Sequence, residues 1–225
     1  MTPYETEKVR TPARVLIVDD HPATREGLAF RIASQKDLQV AGQTSDVEDT
    51  LQLVAETKPD VAVIDICLKT GDGIDLIKRI KARGDPVRML AWSMHDESLY
   101  AERALRAGAL GYIDKSQSTE TVIDAIRCVL DGKLYLSGKV AQHLLRHSFD
   151  GNPRLDQSPV STLSDRELEV FRSIGQGFNT QEVARRMNVT AKTVDTYRSR
   201  IKDKLNLNSG TELMRSAVHW VLQSG

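Results

Sequence analysis

The chain has 225 residues, 40% of them hydrophobic and 28% charged. At about 150 residues per domain this is one large domain or two modest ones, with length enough to bury a core without a disulfide or metal staple. Thirty-one basic residues balance thirty-one acidic ones, which excludes a bulk polycation or polyanion and leaves local patches open. Cys67 and Cys128 are the only cysteines and lie far apart, so they form neither a zinc motif nor a secreted disulfide framework, and a reducing cytosol fits best. No apolar run approaches the ~18 residues of a membrane span. Met1 to Arg10 is charged and lacks the apolar stretch of a signal peptide.

The first half alternates short aliphatic runs with amphipathic ones. Val15-Leu16-Ile17-Val18 leads into Asp19-Asp20, and Val61-Ala62-Val63-Ile64 into Asp65. Val87 to Trp92 leads into Ser93, Leu110 to Ile113 into Asp114-Lys115, and Leu38 to Ala41 makes a fifth run. Runs that are apolar along their whole length suit strands buried on both faces. Between them, segments near 23–35, 46–57, 73–83, 97–107 and 119–131 carry apolar residues at three- and four-residue steps. Five strand–helix repeats predict an α/β fold with a doubly wound, five-stranded parallel sheet. This domain is expected over 13–132. Ser137 to His147 reads as one more helix, and Ser148 to Pro159 is rich in turn formers, so 133–161 is expected to be an extra helix and linker.

Ligands of such sheets bind beyond the carboxyl ends of the strands. Asp19, Asp20, Asp65, Ser93 and Lys115 all fall there. An aspartate at a strand end is often only a turn or cap residue. Carboxylates at several strand ends together suggest instead a divalent cation held among oxygens, with a hydroxyl and an ammonium to receive phosphoryl oxygens. Asp65 is the central candidate for accepting a phosphoryl group. Asp65 would also serve as the nucleophile of a Mg²⁺-dependent phosphohydrolase, but such enzymes usually place a second Asp where Cys67 stands.

With Asp19-Asp20-His21-Pro22, Val-Ile-Asp65, Asp72-Gly73, Ser93 and Gly111-Tyr112-Ile113-Asp114-Lys115 in that order, the first half resembles the receiver domains of two-component response regulators. The resemblance implies that Asp65 is the phosphoacceptor. It implies that Asp20, Asp65 and the backbone carbonyl of Cys67 bind Mg²⁺ or Mn²⁺, with Asp19 acting partly through water. It makes Ser93 the switch hydroxyl, Tyr112 an aromatic that follows it inward, and Lys115 the phosphate partner. Lys69 stands where many receivers have proline. Cys67 and His95 flank the expected path of attacking water, although Cys67 reads equally as a small packed side chain and His21 as a surface residue.

From Thr162 the sequence reads as helix only, over 162–225. Ser164 with Glu167 forms a capping-box signature, and Leu168, Phe171 and Ile174 make a stripe. Thr180 is placed as the next cap, followed by Val183, Ala184 and Met187. After a short turn at 188–190, a longer helix is expected from Ala191 to about Asn206. Its stretch from Lys192 to Lys204 has five basic and two acidic residues, a local charge of +3. A last helix over 210–222 carries Leu213, Ala217, Val218 and Val221, a side suited to closing the core or to dimerisation. Helix, short turn and helix suit a helix-turn-helix reader. The segments around Leu163–Val170, Gly177–Ala184, Thr193–Tyr197 and Ile201–Leu205 resemble the LuxR-type helix-turn-helix of the NarL/FixJ class. The resemblance implies an all-α, four-helix DNA-binding domain. Asp195, Thr196 and Ser199 would face base edges, beside Thr193, and Lys192, Arg198, Arg200 and Lys204 would contact or approach phosphates. The expected whole is a cytoplasmic transcription regulator rather than an enzyme. A histidine kinase would phosphorylate it, double-stranded DNA would be bound, a homodimer would form when active, and RNA polymerase would be a further partner.

Overall fold

The structure is a computed structural model that describes residues 11–142 and 159–224, apart from 69, 70, 95, 96 and 188. The side chains of 98, 99, 161, 223 and 224 are likewise not described. Lys69 and His95 therefore lie outside the described residues, as do 143–147 of the extra helix, which begins at 138. The chain divides into two compact units that part between 147 and 148.

In the first unit, β1 (Ala13–Val18), β2 (Leu38–Thr44), β3 (Val61–Ile64), β4 (Arg88–Ser93) and β5 (Gly111–Asp114) form one parallel sheet, ordered β2-β1-β3-β4-β5. The helices are α1 (Pro22–Ala33), α2 (Val47–Thr57), α3 (Gly73–Arg83), α4 (Glu97–Ala107) and α5 (Thr119–Leu130). Val15–Val18 and Val61–Ile64 are buried along their length because both sheet faces are covered there, whereas the edge strand β2 buries only Leu38 and Thr44, so the expectation of burial on both faces fails for the fifth run. On one face Val15, Ile17, Val61, Val63 and Leu90 pack with Leu28 and Ile32 of α1 and Val122, Ile126 and Val129 of α5. α2, α3 and α4 follow one another across the other face.

Two features lie beyond the periodicity of the sequence. Cys67–Leu68 and Gly71–Asp72 form a small antiparallel pair after β3. Beyond α5 the chain returns to the outer edge of β5, where Tyr135 pairs with Gly111.

In the second unit α6 spans Asp165–Gly175, α7 Thr180–Arg186, α8 Ala191–Leu205 and α9 Gly210–Ser224. Ser164 and Glu167 form the expected capping box. The cap of α7 is Asn179, not Thr180, and it makes a second capping box with Glu182. The Asn179 carboxamide oxygen accepts from two amides, at 3.0 Å each, which leaves Thr180 as the first helical residue. Thr190 caps α8, and Asn206 ends it in a left-handed conformation (φ 53°). Leu213 and Ala217 of α9 are buried against α6, whereas Val218 is exposed. The crossing is close: a Cβ on Gly175 would lie 2.4 Å from the Ala217 carbonyl oxygen.

Candidate functional site

The parallel ladder continues past the strand ends and fixes where the acidic residues stand. The Asp19 amide donates to Thr44, Asp65 to Val18 and Lys115 to Ser93, at 3.0, 2.8 and 2.9 Å. Residues scattered over the chain thus meet at one edge of the sheet. Asp19, Asp20, Asp65, Ser93 and Tyr112 are all buried. The Lys115 ammonium lies 2.7 Å from Asp19 Oδ2 and 2.5 Å from Asp65 Oδ2, with its side chain 5% exposed. Asp65 Oδ1 accepts from the Cys67 amide at 3.2 Å. Cys67 itself is buried, as a small packed side chain would be.

The electrostatics follow from burial. Desolvation pushes the Asp65 carboxyl above the ordinary aspartate value, against the pull of Lys115. Burial alone would draw the Lys115 ammonium down, but the Asp65 and Asp19 charges and hydrogen bonds outweigh it, and its pKa is raised. Burial also raises the Tyr112 phenol, whose hydroxyl shares a hydrogen bond with Ser93. The Tyr112 ring is fully buried here.

Ligand atoms of Asp19, Asp20, His21 and Asp65 lie within 4.8 Å of one another. Three buried carboxylates in so small a space are an oxygen-donor set that could bind a metal ion. His21 is exposed, as the surface reading expects, and its ring also reaches the acidic group. Its Nδ1 is 2.7 Å from Asp20 Oδ1, and its amide donates to Asp19 Oδ1 at 2.7 Å.

Sequence reasoning missed three supports of this site. Arg25 donates to the Asp19 carbonyl at 2.6 Å, a helix-to-strand contact without a motif. Trp92 places its ring face 5.4 Å from the Lys115 ammonium. Gly73 begins α3 so close to the acceptor loop that an added Cβ would sit 2.0 Å from the Asp65 carbonyl oxygen. The Asp72-Gly73 pair carried that last signal. Asp72 caps α3 through the amides of Ile74 and Asp75, and only glycine leaves room behind Asp65.

In the second unit, Lys192, Asp195, Thr196, Ser199 and Arg200 are exposed at three- and four-residue steps along α8, while Val194 and Ile201 face the core. One polar face is thereby presented along 192–200. Three residues expected beside it have partners within the domain. Thr193 shares a 2.9 Å hydrogen bond with the Thr190 cap. Arg198 is half-buried and donates to Thr180 at 2.6 Å, tying α8 to α7. The Lys204 ammonium lies 2.6 Å from Glu167 Oε2 and donates to the Thr162 carbonyl at 3.2 Å, so it braces α8 against α6.

Comparisons with known proteins agree with this division. Residues 15–127 match the response regulator receiver domain, and residues 161–217 match the bacterial regulatory proteins of the luxR family. The response regulator GacA of Pseudomonas aeruginosa is 34% identical over 205 residues, 91% of this chain and 95% of GacA. A crystal structure of a LuxR-family two-component response regulator from Aurantimonas is 32% identical. It covers 62% of this chain and 99% of its own, with a TM-score of 0.57. RcsB of Salmonella, bound to promoter rprA in the presence of the phosphomimetic BeF₃⁻, reaches a TM-score of 0.57 at 22% identity, over 91% of this chain and 98% of RcsB. At that identity the likeness is one of fold.

Proposed function

This chain belongs to the response regulators of two-component systems, with a receiver domain and a LuxR-type DNA-binding domain of the NarL/FixJ class, and from that premise we propose that phosphorylation of Asp65 by a histidine kinase controls its binding to double-stranded DNA. The observation that carries the reading is the convergence of buried Asp65 with Asp19, Asp20 and the Lys115 ammonium. No structural demand of the sheet requires that cluster, and its mutual repulsion has to be offset.

In the transfer, the phosphorus–nitrogen bond of the kinase phosphohistidine breaks and a phosphorus–oxygen bond to the Asp65 carboxylate forms. The histidine nitrogen left behind takes up a proton. Lys115, held at Asp65, is placed to neutralise the arriving phosphoryl oxygens. The Ser93 hydroxyl is placed to turn toward them, changing partner from Tyr112. The clustered carboxylates suit a hard divalent cation, Mg²⁺ or Mn²⁺, which Asp20, Asp65 and the Cys67 carbonyl would hold, with Asp19 acting partly through water. When bound, such an ion supplies charge neutralisation for the transferring group. Self-catalysed transfer and dephosphorylation are slow, in a regulator rather than an enzyme.

Moving a population from 1:99 to 99:1 needs ~5.5 kcal/mol. A few charge-assisted hydrogen bonds at ~1.5–3 kcal/mol each supply that. The output is pairing of two copies or release of the DNA-binding domain, and pairing raises affinity through effective concentration. On α8, Asp195, Thr196 and Ser199 face base edges, and Lys192 and Arg200 approach phosphates. The domains are 13–132 for the receiver and 162–225 for the reader, joined over 133–161. The protein works in the cytoplasm, where RNA polymerase is the further partner. Among the described residues, no helix is long and apolar enough to cross a membrane.

The test is operator binding by the wild type and by Asp65→Asn, each with and without a phosphodonor. The donor is expected to strengthen binding by the wild type alone. Equal enhancement of both proteins would overturn the assignment of Asp65.

A further inference from the structure

We propose that Trp92 is a positioning residue for Lys115, its indole face setting where the ammonium sits between Asp19 and Asp65. The inference rests on the reading of the acidic cluster as a cation and phosphoryl site, and goes beyond it. Trp92 is 5% exposed and precedes Ser93 on β4, paired in register with Ile113. It belongs to the same buried cluster as Val122 and Ile123, so apolar packing explains its burial. Packing does not explain the choice of tryptophan. The indole Nε1 is buried without a hydrogen-bond partner among the described residues. A leucine or phenylalanine would fill this position without burying an unpaired donor. What tryptophan adds is the strongest cation-binding ring face of any side chain. That face lies 5.4 Å from the Lys115 ammonium.

The consequence concerns competition. Lys115 contacts Asp19 Oδ2 and Asp65 Oδ2, oxygens of two carboxylates that a divalent cation would also use. A ring that holds the ammonium there opposes entry of the cation. The same restraint keeps the ammonium beside Asp65, where a phosphoryl group would need it. Loss of the ring face should therefore have effects of opposite sign. Cation binding tightens, and binding of a phosphoryl mimic weakens. General damage to the fold would weaken both.

The experiment uses the full chain and two probes. Mn²⁺ binding is followed by electron paramagnetic resonance of the unbound ion, and beryllofluoride binding at saturating Mg²⁺ by ¹⁹F NMR. Trp92→Leu is expected to bind Mn²⁺ at least threefold more tightly and beryllofluoride at least threefold more weakly than the wild type. Trp92→Phe keeps a ring with a weaker cation-binding face, so it is expected to shift both probes in the same opposite directions as Trp92→Leu but by less; it also serves if the leucine variant melts early. Changes of the same sign in Trp92→Leu, or none beyond twofold, overturn the proposal. Shifts in Trp92→Phe as large as those in Trp92→Leu, or of the same sign for the two probes, overturn it as well. Asp65→Asn and Asp20→Asn separate the two levels: Mn²⁺ affinity in these variants equal to wild type would overturn the cation site itself.

Discussion

The backbone amide of Tyr112 donates to the carbonyl of Tyr135 at 3.0 Å, and the Tyr135 amide returns a bond to Leu110 at 3.0 Å. The residue hydrogen-bonded to Ser93 is therefore also bonded, through its main chain, to the segment that leaves the first unit. Ser137, two residues on, donates its amide to Glu97 at the start of α4 at 3.1 Å. The outer edge of β5 is thus covered rather than exposed. Tyr135→Pro removes one donor of this pairing. It is expected to lower the stability of the first unit by about 1–2 kcal/mol, one backbone bond plus lost packing. Hydrogen exchange at the Tyr112 amide should accelerate in parallel, and unchanged exchange there would mean that the edge pairing does not persist in solution.

Gly73 lies behind the phosphoacceptor. Its missing side chain is a requirement, because a Cβ would meet the Asp65 carbonyl at 2.0 Å and the Ile66 Cα at 2.7 Å. Both obstacles are backbone, so neither can turn aside. Gly73→Ala is expected to cost about 2–3 kcal/mol, as overpacking does. It should also slow phosphoryl uptake from a small-molecule donor, since Asp65 must shift with its loop. A thermal melt and a phosphorylation time course on one preparation check both expectations, and wild-type values in each would refute the contact.

The acidic edge was legible because a parallel sheet turns sequence order into spatial order. Once Val15–Val18, Val61–Ile64, Val87–Trp92 and Leu110–Ile113 are read as strands of one parallel sheet, Asp19, Asp65, Ser93 and Lys115 fall at the same end of it, and the long Lys115 side chain reaches past β4 to the two carboxylates. Partners set by side-chain reach were not legible. The Lys204 contact with Glu167 spans 37 positions and two helices, and the charge pattern from Lys192 to Lys204 reads the same whether a lysine points to solvent or to a neighbour. The cap of α7 was misplaced by one residue because Asn179 and Thr180 are both good cap residues. The choice was settled by Glu182, which stands three residues after Asn179. The return of Tyr135 to β5 carries no periodicity, since it is a single paired residue.

Two arginines two positions apart on α8 are expected to behave differently. Arg200 is exposed on the polar face, whereas Arg198 is half-buried and bonded to Thr180. Arg200→Ala should weaken binding to all DNA sequences alike and reduce the slope of log affinity against log salt by about 0.9. Its melting temperature should match the wild type. Arg198→Ala should instead lower the stability of the second unit by about 1 kcal/mol, and Thr180→Val should reproduce much of that loss. Salt-dependent DNA titrations paired with melts distinguish the two roles, and an equal salt-slope change for both arginines would refute the division.

Glu167 gives the second unit a calculable response to acid. Burial pushes its carboxyl up, but the hydrogen bonds from Lys204 and the Ser164 amide outweigh this and hold it below the ordinary glutamate range. A group depressed in the folded state stabilises fully above its unfolded pKa, about 4.3. That contribution is lost as pH falls through the lower, folded value. The stability of the second unit should therefore decline below about pH 5, by an amount that high salt reduces because Lys204 is 40% exposed. Glu167→Gln keeps a residue able to close the capping box with Ser164 and removes only the charge. This variant is expected to be less stable at pH 7 by about 1 kcal/mol. Its loss between pH 5 and pH 3 should be smaller than that of the wild type. Urea unfolding at pH 7, 5, 4 and 3 measures both, and parallel pH profiles for the two proteins would show that Glu167 titrates there as it does in the unfolded chain.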